Sequence, residues 1–140
     1  MVSAHPEESK DAGRHPEPAN ARATLGRLGE RLAEQHLLAR GYVVIERNAR
    51  TREGEIDIVA REGDMLAFVE VRSRRGTRMG TAVESVTPAK QRRMFALAEA
   101  YGAGREDLPE GRRVDVIAID FAPDGRLLSL RHFENAVIGE

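Results

Sequence analysis

The chain has 140 residues, a formal net charge of -1 and no cysteine, which sets the scale at one compact domain and excludes disulfides, thiolate metal sites and a cysteine nucleophile. No apolar run approaches the ~20 residues needed to cross a bilayer, and the N-terminus lacks the apolar stretch of a secretory signal. The expectation is therefore a cytoplasmic protein that does not enter a membrane.

The near-neutral total hides local bunching. Outside residues 1–20 there are 20 bases against 19 acids, with Arg72, Arg74, Arg75 and Arg78 in one segment and Lys90, Arg92 and Arg93 in another. Those two segments can meet nucleic-acid phosphates, or they can be the solvated faces of a loop and a helix.

The first 20 residues are rich in Pro, Glu and Ala and show no apolar periodicity, so they read as a disordered tail ahead of a single domain at 21–140. From Ala21 to Arg40, Leu25, Leu28, Leu32 and Ala33 recur at helical spacing, and Gly41 is a natural stop. On that helix Glu30 falls near the edge of the apolar arc, beside Leu37, where it can look into a cleft; the plainer alternative is a surface Glu paired with Arg27. Tyr42 to Ile45 reads as a short strand followed by a polar segment.

Glu55 to Ala60 and Met65 to Arg72 read as two strands joined by a hairpin at Glu62-Gly63-Asp64. Thr87 and Pro88 open a second helix whose apolar face is Met94, Leu97, Ala98 and Tyr101. Val114 to Phe121 and Leu127 to Phe133 are the last two strands, separated by Pro123-Asp124-Gly125. Phe68, Phe95 and Phe121 fall in core patterns, and the four histidines show no metal-ligand spacing.

Two carboxylates break the apolar pattern of the hairpin strands. A two-residue loop at Glu62-Gly63, or a four-residue loop with the same pairing, sets Asp57 opposite Phe68 and Glu55 opposite Glu70, so that Asp57 and Glu70 are diagonal neighbours on one face, ~7–8 Å apart at Cα and close enough to share one metal ion; a regular three-residue loop without a bulge puts them on opposite faces. The competing explanation is ordinary ion pairing with Arg72, Arg50 or Arg52.

An acid on one strand, an ExR pair on the next and an acid on the preceding helix resemble the PD-(D/E)xK nuclease superfamily. The stretches LGERLAEQHLLARGYVVIERNAR, GEIDIVA, FVEVRSR and TPAKQRR resemble the YraN-like family of bacterial proteins, related to Holliday junction resolvases, from about Leu28 to Asp120.

The resemblance implies an α/β, restriction-endonuclease-like mixed sheet flanked by helices. It implies Asp57 as the metal-bridging acid, Glu70 as second ligand, Val71 as a backbone-carbonyl ligand and Glu30 as the helix-borne acid. Mg²⁺ or Mn²⁺ would be the cofactor, and DNA, branched in the resolvase-like case, the partner. The implied function is a structure-selective endonuclease of DNA repair or recombination, for which a homodimer would suit a two-fold substrate.

The departure is Arg72 where the superfamily pattern has Lys. Arg stays protonated and cannot act as a base, though it can hold a phosphate oxygen. The alternative function is accordingly a catalytically impaired nuclease fold that binds nucleic acid or protein. Lys90 is the candidate replacement cation, and Arg74, Arg75, Arg78, Arg92 and Arg93 are the candidate backbone contacts.

Overall fold

The computed structural model describes residues 19–76 and 80–135, with side chains from residue 23. Arg78 and most of the expected tail lie outside the described residues. Helix α1 spans Ala19–Ala39, so it begins two residues inside the segment read as tail. Strands β1 (Val43–Thr51), β2 (Gly54–Glu62) and β3 (Met65–Arg75) follow, then a single 3₁₀ turn at Val83–Ser85, helix α2 (Pro88–Gly102), β4 (Gly111–Phe121) and β5 (Leu127–Phe133). The five strands form one sheet in sequence order, antiparallel except where β3 and β4 run parallel. This is the expected α/β class: a five-stranded mixed sheet between two helices, consistent with a restriction-endonuclease-like fold.

Each face of the sheet buries one helix, and the reason lies in the apolar positions. Ala33 and Leu37 of α1 pack on Ile58, Ala60, Ala67, Val69, Ile117 and Ile119. Leu97, Ala98 and Tyr101 of α2 pack on Val59, Leu66 and Phe68. Phe68, Leu66 and Ile117 are at most 1% exposed, and truncating such a residue costs about 2–5 kcal/mol. Thr87 caps α2 as anticipated, its hydroxyl accepting from the Lys90 amide, with Pro88 in the first turn. Phe95 departs from expectation: it stands 41% exposed on the outer side of α2.

Two further corrections bear on the site. The strand expected to end at Ile45 continues to Thr51. β1 is an edge strand in which only Ala49 is buried, so the polar residues after Ile45 do not forbid pairing. The hairpin also pairs Glu62 with Met65 and Val59 with Phe68, which makes Gly63-Asp64 the turn. Gly63 has φ 59°, a left-handed conformation that glycine adopts without strain. The register is offset by two residues from that expected, so Asp57 does not face Phe68 and Glu55 does not face Glu70. An even offset keeps every side chain on its face.

Candidate functional site

The β2–β3 ladder ends at Ile58 with Val69. Asp57 and Glu70 are the next residues outward, and here the strands part. Instead of a β2 backbone carbonyl, the Val71 amide donates to the Asp57 carboxylate at 2.8 Å. Strict alternation along β2 fails at the same point: Ile56 joins Val59 in the cluster under α2, while Ile58 packs under α1. Asp57 therefore sits in a fork between strands, reachable from both faces of the sheet.

A cleft of about 450 Å³ on the α1 side is lined by Glu30, Asp57, Glu70, Arg72, Arg74 and Arg75, among others. A smaller one of about 210 Å³ on the α2 side is lined by Glu55, Asp57, Glu70, Arg72, Lys90 and Arg93. Asp57, Glu70 and Arg72 form the wall between them.

The structure thus brings together the two strand acids, Arg72 and Glu30, and it sorts the remaining candidates by side. Glu30 faces the cleft, accepting from Asn48 Nδ2 at 3.4 Å, while Arg27 reaches Thr24 instead. Arg74 and Arg75 line the α1 side, and Lys90 and Arg93 the α2 side. Arg92 is exposed and lines neither cleft. The ion-pair explanation holds in part: Arg72 Nη1 lies 3.4 Å from Glu70 Oε2. Neither Arg50 nor Arg52 pairs with Asp57 or Glu70 among the described residues.

The electrostatics favour a cation. The Asp57 carboxyl is pushed up to about 7, by burial first and then by the neighbouring charge of Glu70, against the Val71 amide that holds it down. Glu70 is also raised, by burial above all, with Arg72 opposing. Two half-buried carboxylates side by side resist joint ionisation unless positive charge is supplied.

The donor set fits a hard dication. Asp57 commits one carboxylate oxygen to Val71 and Glu70 one to Arg72, which leaves an oxygen of each for a metal. Among the described residues no group of three His, Cys, Asp or Glu is gathered for a metal. Two carboxylates with a backbone carbonyl and water ligands match the needs of Mg²⁺.

Two members of the site escaped the sequence reading. Asn48 occupies the β1 position between Arg47 and Ala49, which pair with Ile58 and Ile56, so it lies beside Asp57. Its φ of 51° is left-handed, which Asn tolerates better than most residues. Ser85 in the 3₁₀ turn accepts from Arg72 Nε at 3.0 Å through its hydroxyl and from Lys90 Nζ at 3.0 Å through its carbonyl. An Asn inside a strand-length polar run was the only local signal for the first. None marked the second.

The fold and the forked acid pair define an α/β protein of restriction-endonuclease-like architecture with a candidate metal centre where the β2–β3 ladder ends. The match of residues 29–119 to the model of the uncharacterised protein family UPF0102 places it further, and the chain belongs to that family. It is 50% identical over 103 residues to a UPF0102 protein of Symbiobacterium thermophilum, covering 74% of this chain and 87% of the other. It is 44% identical over 118 residues to one of Pelotomaculum thermopropionicum, covering 84% and 98%. The expected YraN-like kinship is thereby established.

Proposed function

We propose that this chain is a metal-dependent, structure-selective DNA endonuclease acting in DNA repair or recombination. The observation that carries the reading is the pair of half-buried, charge-frustrated carboxylates, Asp57 and Glu70, each with an oxygen to spare, in a fork flanked by arginines. Asp57 and Glu70, with the Val71 carbonyl, would hold Mg²⁺ or Mn²⁺. Bound there, the ion supplies Lewis acidity and a water of lowered pKa. Arg72 holds a phosphoryl oxygen and balances developing charge. Arg74, Arg75 and Arg93 contact the backbone in a sequence-insensitive, salt-sensitive way.

The test is nicking of labelled branched DNA by the full chain. Cleavage should require Mg²⁺ or Mn²⁺ and fall at least ~100-fold in Asp57→Ala and Glu70→Ala, more than substitutions outside the metal's direct ligands usually cost.

One feature favours a second reading. Arg72 cannot accept a proton, and it is already engaged by Glu70 and Ser85. A nuclease fold that binds nucleic acid without cutting it would give salt-sensitive binding that persists in both alanine variants, with no cleavage under any metal.

A further inference from the structure

We infer that Arg72 and Lys90, held side by side by Ser85, form an anion subsite on the α2 side of the acid pair, and that a nucleic-acid phosphate enters there. This rests on the nuclease reading above and adds the side of approach and the receiving residues.

Asp57 and Glu70 both line two clefts, each with three acids and three bases: Glu30, Arg74 and Arg75 belong to the α1 side alone, and Glu55, Lys90 and Arg93 to the α2 side alone. They differ in how the cations are held. On the α2 side the cations are placed by a fixed scaffold. Asp120 accepts from the Ala82 amide at 2.9 Å, which ties the 3₁₀ turn to β4. The Ser85 hydroxyl donates to the Ala82 carbonyl at 2.6 Å, leaving its lone pairs for Arg72 Nε. The Ser85 carbonyl then takes one Lys90 N–H.

Two cations are thus pinned to a single residue, with further N–H donors of each uncommitted among the described residues. Lys90 also feels the positive charge of Arg74, and burial and these two arginines together make its ammonium easier to deprotonate. Like charges gathered this closely repel in the absence of an anion. A phosphate oxygen accepting from both groups relieves that repulsion with charge-assisted hydrogen bonds. Three acids and three bases line the cleft, so a dication at Asp57 and Glu70 would turn its balance positive and strengthen the pull on an anion.

The test is fluorescence anisotropy of a fluorescein-labelled four-way DNA junction with the full chain, in EDTA to suppress cleavage. Lys90→Gln should weaken binding about fivefold and reduce the slope of log affinity against log salt by about one. Lys90→Arg should recover most of both. Arg31→Ala, which removes the same charge from an exposed position over α1, should leave both unchanged.

Equal affinity and slope for Lys90→Gln and wild type, with metal-dependent nicking still lost in Asp57→Ala, overturns the subsite and leaves the nuclease reading standing. A loss in Arg31→Ala as large as in Lys90→Gln also overturns it, because the anion then approaches over α1. Failure of the wild-type chain to bind the junction overturns subsite and nuclease reading together.

Discussion

Asp57 holds a proton more tightly in the folded chain than its ordinary value of 3.8 allows, its carboxyl being raised to about 7 by burial and by Glu70. A raised carboxyl contributes stability that is complete below the unfolded value and is lost as pH climbs through the folded one. Ionised Asp57 therefore opposes folding at pH 8 in the absence of metal. Asp57→Asn is expected to raise the metal-free melting temperature at pH 8 by on the order of 5 °C. The gap from wild type should close toward pH 5. Scanning calorimetry in EDTA across that range measures it, and a gap that does not change with pH refutes the assignment. The same proton competes with a cation, so the affinity for Mn²⁺, read by titration calorimetry, should rise as pH increases through 7 and lose that dependence in Asp57→Asn.

The close approach of α1 to β3 sets where Glu30 stands. A Cβ built on Gly29 would overlap Ser73 Oγ and lie 3.3 Å from Ser73 Cβ. The hydroxyl itself is buried without a hydrogen-bond partner among the described residues. Gly29→Ala gains up to ~1 kcal/mol of helix propensity but must turn the Ser73 hydroxyl aside and still crowds Ser73 Cβ, and overpacking of this kind costs about 1–3 kcal/mol. The expected net change is a loss of stability together with a loss of metal-dependent activity, because Glu30 is the next residue. Removing the opposing side chain in Gly29→Ala/Ser73→Gly should restore stability beyond the sum of the single effects. Urea denaturation of the four chains in a double-mutant cycle measures that coupling, and additive effects would show that the two residues do not collide.

Elements such as α1, the hairpin and α2 were legible because their signals are local: apolar spacing, a Thr-Pro start, a Gly turn. That Asp57 and Glu70 come together was legible for a sturdier reason, since a two-residue offset leaves the parity of the register untouched; the break in alternation between Ile56 and Ile58, which opens Asp57 to both faces, was not. The second half of β1 was hidden because an edge strand can satisfy the sheet with little apolar content, here the buried Ala49. Asn48 and Ser85 were hidden because their meaning comes from partners 18 and 13 positions away. The parallel pairing of β3 with β4, reached through α2, likewise leaves no local mark in either strand.

A second polar network lies apart from the acid fork and ties α1, β4 and β5 together. Asp115 is 0% exposed. It accepts from His132 Nε2 at 2.8 Å, from Arg113 Nε at 2.9 Å and from the Asn135 amide at 2.9 Å. His132 in turn lies 3.1 Å from His36 of α1 through a ring-nitrogen hydrogen bond, and Arg113 also bonds to the Tyr42 hydroxyl. Histidine spacing carries no hint of this, because His36 and His132 are 96 positions apart.

Burial pushes the Asp115 carboxyl up, but the bonds from His132, Arg113 and Asn135 outweigh it and hold the group below 3.8. A depressed carboxyl gives stability that is present above the unfolded value and is lost as pH falls through the folded one. His36 adds to the same limb from higher pH: burial and the charge of His132 lower it from 6.5, so its contribution weakens as pH falls below that value. Stability of the metal-free chain is thus eroded in acid through His36 and Asp115 and toward alkali through Asp57. Asp115→Asn, which leaves the Arg113 charge without its buried partner, should cost about 3–5 kcal/mol at pH 7. The deficit should shrink below pH 4, where Asp115 of the unfolded wild-type chain begins to take up its proton while the folded carboxylate stays ionised. Urea titrations at pH 7 and pH 3.5 decide it, and a deficit equally large at both would mean that Asp115 serves by its shape and not by its charge.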